Sequence, residues 1–212
     1  NIGAYGVEIK EVFEWLEALN RESLELEVFN TKDCKFGYRE SVFKHELKNQ
    51  YVICSVIFKL RKTPEFHIEY GAIQDVLQEK GITELTLKSV SDAVLEIRRS
   101  KLPDPKVIGN AGSFFKNPTI SLDQFTELKS AFPGIPGYVN TEGVKVPAGW
   151  LIEQAGWKGK RIGEVGVHEK QALVLVNYGN GDGEAIKALS EQVRQSVKDK
   201  FNIELQAEVN FI

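Results

Sequence analysis

Ser113 is the residue whose surroundings most suggest chemistry. It follows a glycine-rich turn in the segment KLPDPKVIGNAGSFFKNP, residues 101–118. The first prolines favour extended backbone, and the two glycines permit left-handed geometry that brings N–H groups close to a ligand. The segment is too broken for a helix or a central strand, and we expect a strand to begin at Phe114. The same composition is also typical of an ordinary surface loop.

Charged side chains elsewhere could complete an anion site. Arg39 lies in a predicted loop before Glu40. Its guanidinium is predicted to form a surface ion pair with Glu40 or another neighbour, and the functional alternative is a clamp that binds a substrate carboxylate with two hydrogen bonds. Glu208 lies in the final segment, in which apolar and polar residues alternate. It could bind an anion-site partner, or it could simply lie on the solvent face of that segment. Three lysines flank the glycine-rich segment and could neutralise a phosphate or be solvated charges: Lys101, Lys106 and Lys116.

Composition limits the classes of function. The 212 residues are 42% hydrophobic and 27% charged, with a net charge of −3, which indicates a globular chain without a broad basic field. We therefore expect no nucleic-acid partner, and no obligate protein partner is evident. No apolar run approaches the roughly 18 residues of a membrane span, and no signal peptide is visible. These features predict a cytoplasmic protein without a membrane partner.

The remaining reactive residue types give no motif. Cys34 and Cys54 lack metal-ligand spacing, so both are predicted to be reduced, buried thiols. His168 is predicted to lie on the surface, because no second His or Cys stands at metal-ligand spacing. No phosphate-binding loop, dinucleotide fingerprint or nucleophile elbow is present. No metal site is therefore expected.

The elements that must position these residues form a mixed pattern, which predicts an α+β fold with a domain boundary near residues 103–105. An antiparallel hairpin is expected over 13–19 and 24–29, followed by a strand covered on both faces over 51–60 and, near the end, by a buried strand over 171–177 and a closing strand over 203–212. Helices are expected over 71–80, from Ser91 to before Pro103, after Ser121, over 147–156 and after Asp182.

Five segments in order resemble the UDP-N-acetylmuramate dehydrogenase family, also called UDP-N-acetylenolpyruvoylglucosamine reductase or MurB. They are NIGAYG at 1–6, CKFGYRESVFK at 34–44, KLPDPKVIGNAGSFFKNP at 101–118, PAGWLIEQAG at 147–156 and HEKQALVLVN at 168–177. The IEYG stretch, followed by an extra helix, resembles the longer bacterial type. The chain has no methionine and opens on an apparent loop, so we expect a fragment that lacks the glycine-rich FAD-binding segment.

The resemblance implies a flavoenzyme of peptidoglycan synthesis in the cytoplasm, with roles in cell wall formation, cell shape and cell division. NADPH reduces bound FAD, and UDP-N-acetylglucosamine enolpyruvate is reduced to UDP-N-acetylmuramate. The implied fold is the remainder of a two-part FAD-binding domain, with its tyrosine loop, over 1–100 and an α+β substrate-binding domain over 101–212. Its implied catalytic residues are Ser113 as proton donor, with Arg39 and Glu208 holding and polarising the substrate carboxylate.

The resemblance also implies two sets of binding residues. The substrate set is Tyr5, Tyr38, Tyr70, Lys101, Asn117, Tyr138, Lys158 and Gln171, with Tyr70 and Lys101 near the diphosphate. The cofactor set is Asn1, Ile2, Gly3 and Arg98. Asn210 departs from the basic residue expected in some relatives. Two alternatives stay open: a flavin-free fragment that binds the UDP-sugar without activity, and another flavin oxidoreductase of the same superfamily.

Overall fold

The computed structural model describes residues 1–69 and 72–211. Backbone contacts divide the chain into two units, Asn1–Ile97 and Arg98–Ile212. Helices and antiparallel sheets occur in both units, as the α+β prediction requires.

The first unit is built around a three-stranded antiparallel sheet of order β4-β3-β5, with a separate two-stranded hairpin of β1 and β2. Its strands are β1 (Gly3–Ala4), β2 (Val7–Glu8), β3 (Phe13–Asn20), β4 (Leu26–Asn30) and β5 (Tyr51–Phe58). Its helices are α1 (Thr31–Cys34), α2 (Ile73–Glu79) and α3 (Leu87–Lys101), the last of which continues across the boundary into the second unit.

The predicted hairpin is confirmed by β3 and β4. Leu16 stands opposite Phe29, and both are buried together with Ala18 and Cys34 on one face of the sheet. Burial raises the pKa of the Cys34 thiol to about 11, as expected for an unreactive buried thiol. The alternating apolar residues of β3 face this small core, but on β4 Leu26 and Val28 are 61% and 63% exposed and only Phe29 faces it.

The strand over 51–58 forms, but the prediction that both its faces are covered is wrong. Val52 and Ile53 are 51% and 47% exposed, and Ile57 and Phe58 are also exposed. The strand lies at the edge of the sheet, and the small core packs against β3 and β4. The prediction that Cys54 is buried is wrong for the same reason, because this thiol lies on the edge strand.

Two predicted helices of the first unit are confirmed. Helix α2 is followed by Gly81 in a left-handed conformation (φ +64°), as its predicted cap requires. Helix α3 ends at Lys101, before the prolines, but its predicted start at Ser91 is wrong. Thr86 and Ser89 exchange side-chain and backbone hydrogen bonds at the true start, which is a capping arrangement four residues earlier.

The second unit combines two antiparallel sheets, of order β10-β11-β12-β6 and β7-β9-β8. Its strands are β6 (Gly109–Ser113), β7 (Thr119–Ile120), β8 (Tyr138–Asn140), β9 (Gly143–Lys145), β10 (Arg161–Ile162), β11 (Val165–Val167) and β12 (Val174–Asn177). Its further helices are α4 (Leu122–Ala131), α5 (Ala148–Gln154) and α6 (Gly183–Phe201).

The core of the second unit lies between its larger sheet and helices α5 and α6. Leu151 on α5, Val167 on β11, and Val193 and Val197 on α6 have no exposed surface or almost none. The predicted side-chain caps of the flanking helices are present: Ser121 accepts from the backbone N–H of Gln124, and Asp182 accepts from that of Ala185. The helical predictions for this unit are therefore confirmed.

Two predictions for backbone near Ser113 are wrong. The strand does not begin at Phe114; it is β6, which runs through the glycine-rich residues and ends at Ser113. Gly112 is left-handed (φ +72°), as predicted, where the pairing of β6 with β12 is irregular. The closing strand is also wrong for the described residues, because the tail forms only a single bridge, between Phe115 and Ala207.

The tail nevertheless keeps the alternating burial that suggested a strand. Ile203 and Leu205 are buried, and Glu204 and Gln206 are exposed. None of the helices in the described part of the chain is long and apolar enough to cross a membrane.

Candidate active site

The predicted site residues fall into both units. In the first unit, NIGAYG forms the hairpin of β1 and β2. Tyr5 (φ 52°) and Gly6 (φ 80°) occupy its two-residue turn, and Gly3 stands opposite Glu8. Positive φ at both central residues is the geometry of a tight hairpin turn. The register of the hairpin therefore fixes Glu8 beside the backbone of Gly3.

Arg39 packs against this hairpin. Its Nη2 donates to the carbonyl of Gly3 at 2.5 Å, and its Nη1 lies 3.6 Å from Oε1 of Glu8. A Cβ on Gly3 would lie 3.2 Å from Nη1 and 2.7 Å from the carbonyl oxygen of Val7. The absence of a side chain at Gly3 therefore permits the close approach of the guanidinium.

The loop that carries Arg39 is short and strained. Arg39 itself is left-handed (φ 57°), next to the bridge between Gly37 and Glu40. Its guanidinium carbon lies 5.0 Å from the centroid of the Tyr38 ring, and its side chain is 21% exposed. Lys44 donates to its carbonyl oxygen at 2.8 Å. The predicted ion pair of Arg39 thus includes a carboxylate distant in the sequence, that of Glu8.

Asn1 and Lys10 also bind Glu8. The Nδ2 of Asn1 donates to Oε2 of Glu8 at 3.2 Å and to the carbonyl of Gly37 at 2.9 Å. The Nζ of Lys10 lies 2.9 Å from the same Oε2. Burial by itself would raise the pKa of Glu8, but the bonds from Lys10 and Asn1 and the charge of Arg39 hold it below its ordinary value.

Glu8 is a site residue that the sequence analysis missed. The signal was present, because a Tyr-Gly turn between two short extended pairs predicts a hairpin in which position 8 faces position 3. Two further predicted residues of this unit, Ile2 and Tyr5, belong to the NIGAYG segment itself. Ile2 is 69% exposed, and Tyr5 packs against the apolar cluster of α2 and α3. Tyr70 lies outside the described residues.

In the second unit, the backbone brings Ser113 and Glu208 onto neighbouring segments. Ser113 is the last residue of β6 and is exposed, opposite Val174. The next residue, Phe114, is buried, and its carbonyl accepts from the N–H of Glu208 at 2.8 Å. The backbone of Glu208 therefore lies beside Phe114, the residue after Ser113.

A groove of about 680 Å³ is lined by the residues that follow Ser113 and Glu208 in the chain, Phe114 and Val209, and not by Ser113 or Glu208 themselves. It lies between β6, the start of α6 and the tail, and is lined by Ala111, Phe114, Ile186, Lys187, Val209 and Phe211, among others. The Asn110 side chain accepts from the N–H of Gly112 at 3.0 Å. The N–H of Gly112 in the glycine-rich turn is therefore already bound by the protein.

Asn117 and Gln171 meet at the start of α5. Oδ1 of Asn117 accepts from the N–H of Ala148 at 2.9 Å, and Ala148 is wholly buried. Oε1 of Gln171 lies 3.3 Å from the position that a Cβ on Gly149 would occupy. The two predicted substrate-binding residues thus both lie close to the first turn of one helix, and Asn117 binds it directly.

The other predicted residues lie at the surface of the second unit. Lys158 pairs with Glu153 at 2.8 Å, and Tyr138 is 64% exposed on β8, opposite Lys145. Arg98 and Lys101 are exposed in the last turn of α3, where positive charge complements the helix dipole.

The prediction that His168 lies on the surface is wrong. It is buried after β11, its N–H donates to the carbonyl of Val174, and its Nδ1 accepts from the N–H of Lys170 at 3.3 Å. Burial lowers its pKa, which favours the neutral imidazole. Among residues 1–69 and 72–211, no group of three His, Cys, Asp or Glu side chains could hold a metal ion.

Fold and site together define an α+β protein with an anchored arginine in one unit and, in the other, a serine and a glutamate on neighbouring backbone segments. The chain belongs to the UDP-N-acetylenolpyruvoylglucosamine reductase family, because residues 104–212 match the family model of its C-terminal domain. This finding confirms the family resemblance drawn from the sequence.

Curated relatives of that name match the whole chain. The reductase of Flavobacterium johnsoniae is 53% identical over 100% of the chain, and that of Pseudomonas putida is 49% identical over 99%. The chain spans 64% and 62% of these two relatives. A solved structure of the enzyme from Thermus caldophilus has the same fold, with a TM-score of 0.60 and 21% identity over 99% of this chain and 56% of that one.

Proposed function

We propose that this chain supplies the catalytic and substrate-binding residues of an enzyme that reduces UDP-N-acetylglucosamine enolpyruvate to UDP-N-acetylmuramate in peptidoglycan synthesis. The proposal includes the cytoplasmic location and the supporting roles in cell shape and division implied by the family resemblance. The names of the relatives support it, because they are reductases of this substrate class. The observation that carries it is the bond from the N–H of Glu208 to the carbonyl of Phe114, which brings the backbone of Glu208 next to the segment that carries Ser113.

The cofactors of the proposed reaction are FAD and NADPH. When bound, the flavin reduced by NADPH supplies the hydride. Asn1, Ile2, Gly3 and Arg98 are the residues proposed to contact it. The first unit offers suitable groups, since the exposed side chain of Ile2 is an apolar surface beside the hairpin backbone, and Asn1 is fixed by its bonds to Glu8 and Gly37.

Arg39 is proposed to stabilise negative charge on the substrate carboxylate. Hydride addition to an enol ether conjugated to a carboxylate delocalises negative charge into that carboxylate. A fixed guanidinium stabilises this charge as it develops in the transition state. The contacts of Arg39 with Gly3 and Glu8 support the role, because they hold the group before substrate arrives. A preorganised cation stabilises the transition state more than a cation that must be reoriented during the reaction.

Ser113 is proposed to donate a proton to the substrate carbon next to the one that receives the hydride. Glu208 is proposed to polarise the substrate carboxylate. The exposure of Ser113 at the end of β6 supports the proposal, because a proton donor must reach substrate directly. The proposed substrate-binding set for the UDP-sugar is Tyr5, Tyr38, Tyr70, Lys101, Asn117, Tyr138, Lys158 and Gln171. The proposed domain roles are flavin binding for residues 1–100 and substrate binding for residues 101–212.

Ser113→Ala in the full-length, flavin-bearing protein tests this assignment. Stopped-flow absorbance should show unchanged flavin reduction by NADPH and a loss of about 10²- to 10⁴-fold in reoxidation by the enolpyruvyl substrate, the usual contribution of a general acid. Ser130→Ala is the matched control, because this exposed hydroxyl bonds only to its own helix through the carbonyl of Thr126 among its described contacts. Equal loss in both half-reactions of Ser113→Ala would argue against the role.

A further inference from the structure

Glu8 is the centre of a set of contacts that no catalytic assignment above uses. One carboxylate oxygen lies 3.6 Å from Nη1 of Arg39, and the other lies within 3.2 Å of both Lys10 and Asn1. Its side chain is only 22% exposed, similar to the 21% of Arg39. The pair is therefore partly shielded from water, where a charge contact fixes geometry better than at an open surface.

The hairpin gives this carboxylate a defined position. Glu8 pairs with Gly3 across the two strands, and the carbonyl of Gly3 accepts from Nη2 of Arg39. The Gly3 carbonyl and the Glu8 carboxylate thus contact both terminal nitrogens of the guanidinium. Two contacts on a planar group fix its plane as well as its position.

We infer that Glu8 is a positioning residue for Arg39 in the reduction proposed above, on which this inference rests. Its carboxylate orients the guanidinium and also offsets part of its charge. Loss of the carboxylate should therefore leave ground-state attraction for the substrate carboxylate intact or stronger, while the guanidinium loses its alignment. Misalignment lowers the rate of the chemical step more than it weakens binding.

The experiment compares Glu8→Gln with Lys10→Gln in the full-length, flavin-bearing protein. Glu8→Gln removes both ion pairs of this carboxylate, with Lys10 and with Arg39, whereas Lys10→Gln removes only the pair with Lys10 and leaves the carboxylate beside Arg39. For Glu8→Gln we expect kcat to fall about tenfold with an unchanged or lower KM for the enolpyruvyl substrate, a loss consistent with a small misplacement of a reacting group. Lys10→Gln should keep the kcat of the parent.

A second arm separates positioning from a general structural role. In an Arg39→Lys background the planar fork is absent, so Glu8→Gln should lower kcat by less than twofold there. A full tenfold fall in that background would overturn the inference. Equal kcat values for Glu8→Gln and Lys10→Gln in the active parent would overturn it as well, while leaving the proposed function standing.

Failure of the proposed function has a different signature, since the parent protein itself would not oxidise its reduced flavin with the enolpyruvyl substrate. The inference would then fall together with the proposed reaction. If Glu8→Gln does not retain its flavin and its melting temperature, Glu8→Asp takes its place. The shorter carboxylate should lower kcat with an unchanged KM, and a kcat equal to that of the parent would overturn the inference.

Discussion

Asn117→Ala should destabilise the second unit, because it removes the acceptor of a buried N–H. Oδ1 of Asn117 is 2.9 Å from the nitrogen of Ala148, the first residue of α5, and Ala148 has no exposed surface. A buried donor left without a partner costs about 1–3 kcal/mol, and loss of a helix cap costs about 0.5–2 kcal/mol. We therefore expect a loss of about 1–2 kcal/mol in the free energy of unfolding.

Asn117→Asp is the matched variant. It keeps an oxygen at the capping position and places negative charge at a helix start, so its stability should lie within about 0.5 kcal/mol of the parent. It loses the amide donors, so UDP-sugar binding by the full-length protein should weaken if the amide also contacts substrate. The pair of variants separates the capping oxygen from the donor side of the same residue.

Urea unfolding followed by tryptophan fluorescence measures both variants. The chain has three tryptophans, and in a Trp15→Phe background the remaining two lie in the second unit, at Trp150 on α5 and Trp157 just beyond it. The signal then reports the unit that contains the cap. Unchanged stability of Asn117→Ala, or equal destabilisation by Asn117→Asp, would refute the reasoning.

Two further predictions concern burial. A thiol reagent at pH 8 should modify Cys54 rapidly in the folded protein and Cys34 only on unfolding. The reason is that Cys54 is exposed, whereas Cys34 is buried and has a raised pKa. Rapid modification of both thiols would contradict the burial of Cys34. Leu151→Ala should lower the free energy of unfolding by about 2–5 kcal/mol in the same urea titration, because this side chain is wholly buried. Leu122→Ala, at a position that is 61% exposed, should change it by about 0.5 kcal/mol or less. Similar losses in both variants would contradict the place of Leu151 in the core of the second unit.

Sequence patterns predicted the elements whose signals are local. Helix α6 follows from a cap at Asp182 and apolar residues at helical spacing, and the hairpin of β3 and β4 follows from alternation around a polar turn. Both signals arise within one segment, from a side chain that caps its own helix or from a face that repeats every second residue. No knowledge of distant contacts was needed.

Predictions failed where a distant segment decides the outcome. Residues 109–113 have poor strand propensity, yet backbone pairing with β12 makes them an edge strand, because tertiary pairing overrides the local preference. The apolar run of β5 suggested cover on both faces, but a run of this kind reports only that its side chains are apolar. Likewise, the alternating tail matched a strand, while its pairing partner beside Phe115 is too short to extend the ladder.

The candidate site shows the same division between local and distant information. Residue type predicted an ion pair for Arg39 but not its partner Glu8, because the pairing depends on the hairpin register and on a glycine that leaves room for the guanidinium. Asn117 likewise has a structural contact that its predicted binding role does not include. A side chain with both kinds of contact changes stability and activity together when it is deleted, so only substitutions that preserve one contact, such as Asn117→Asp, can assign its function.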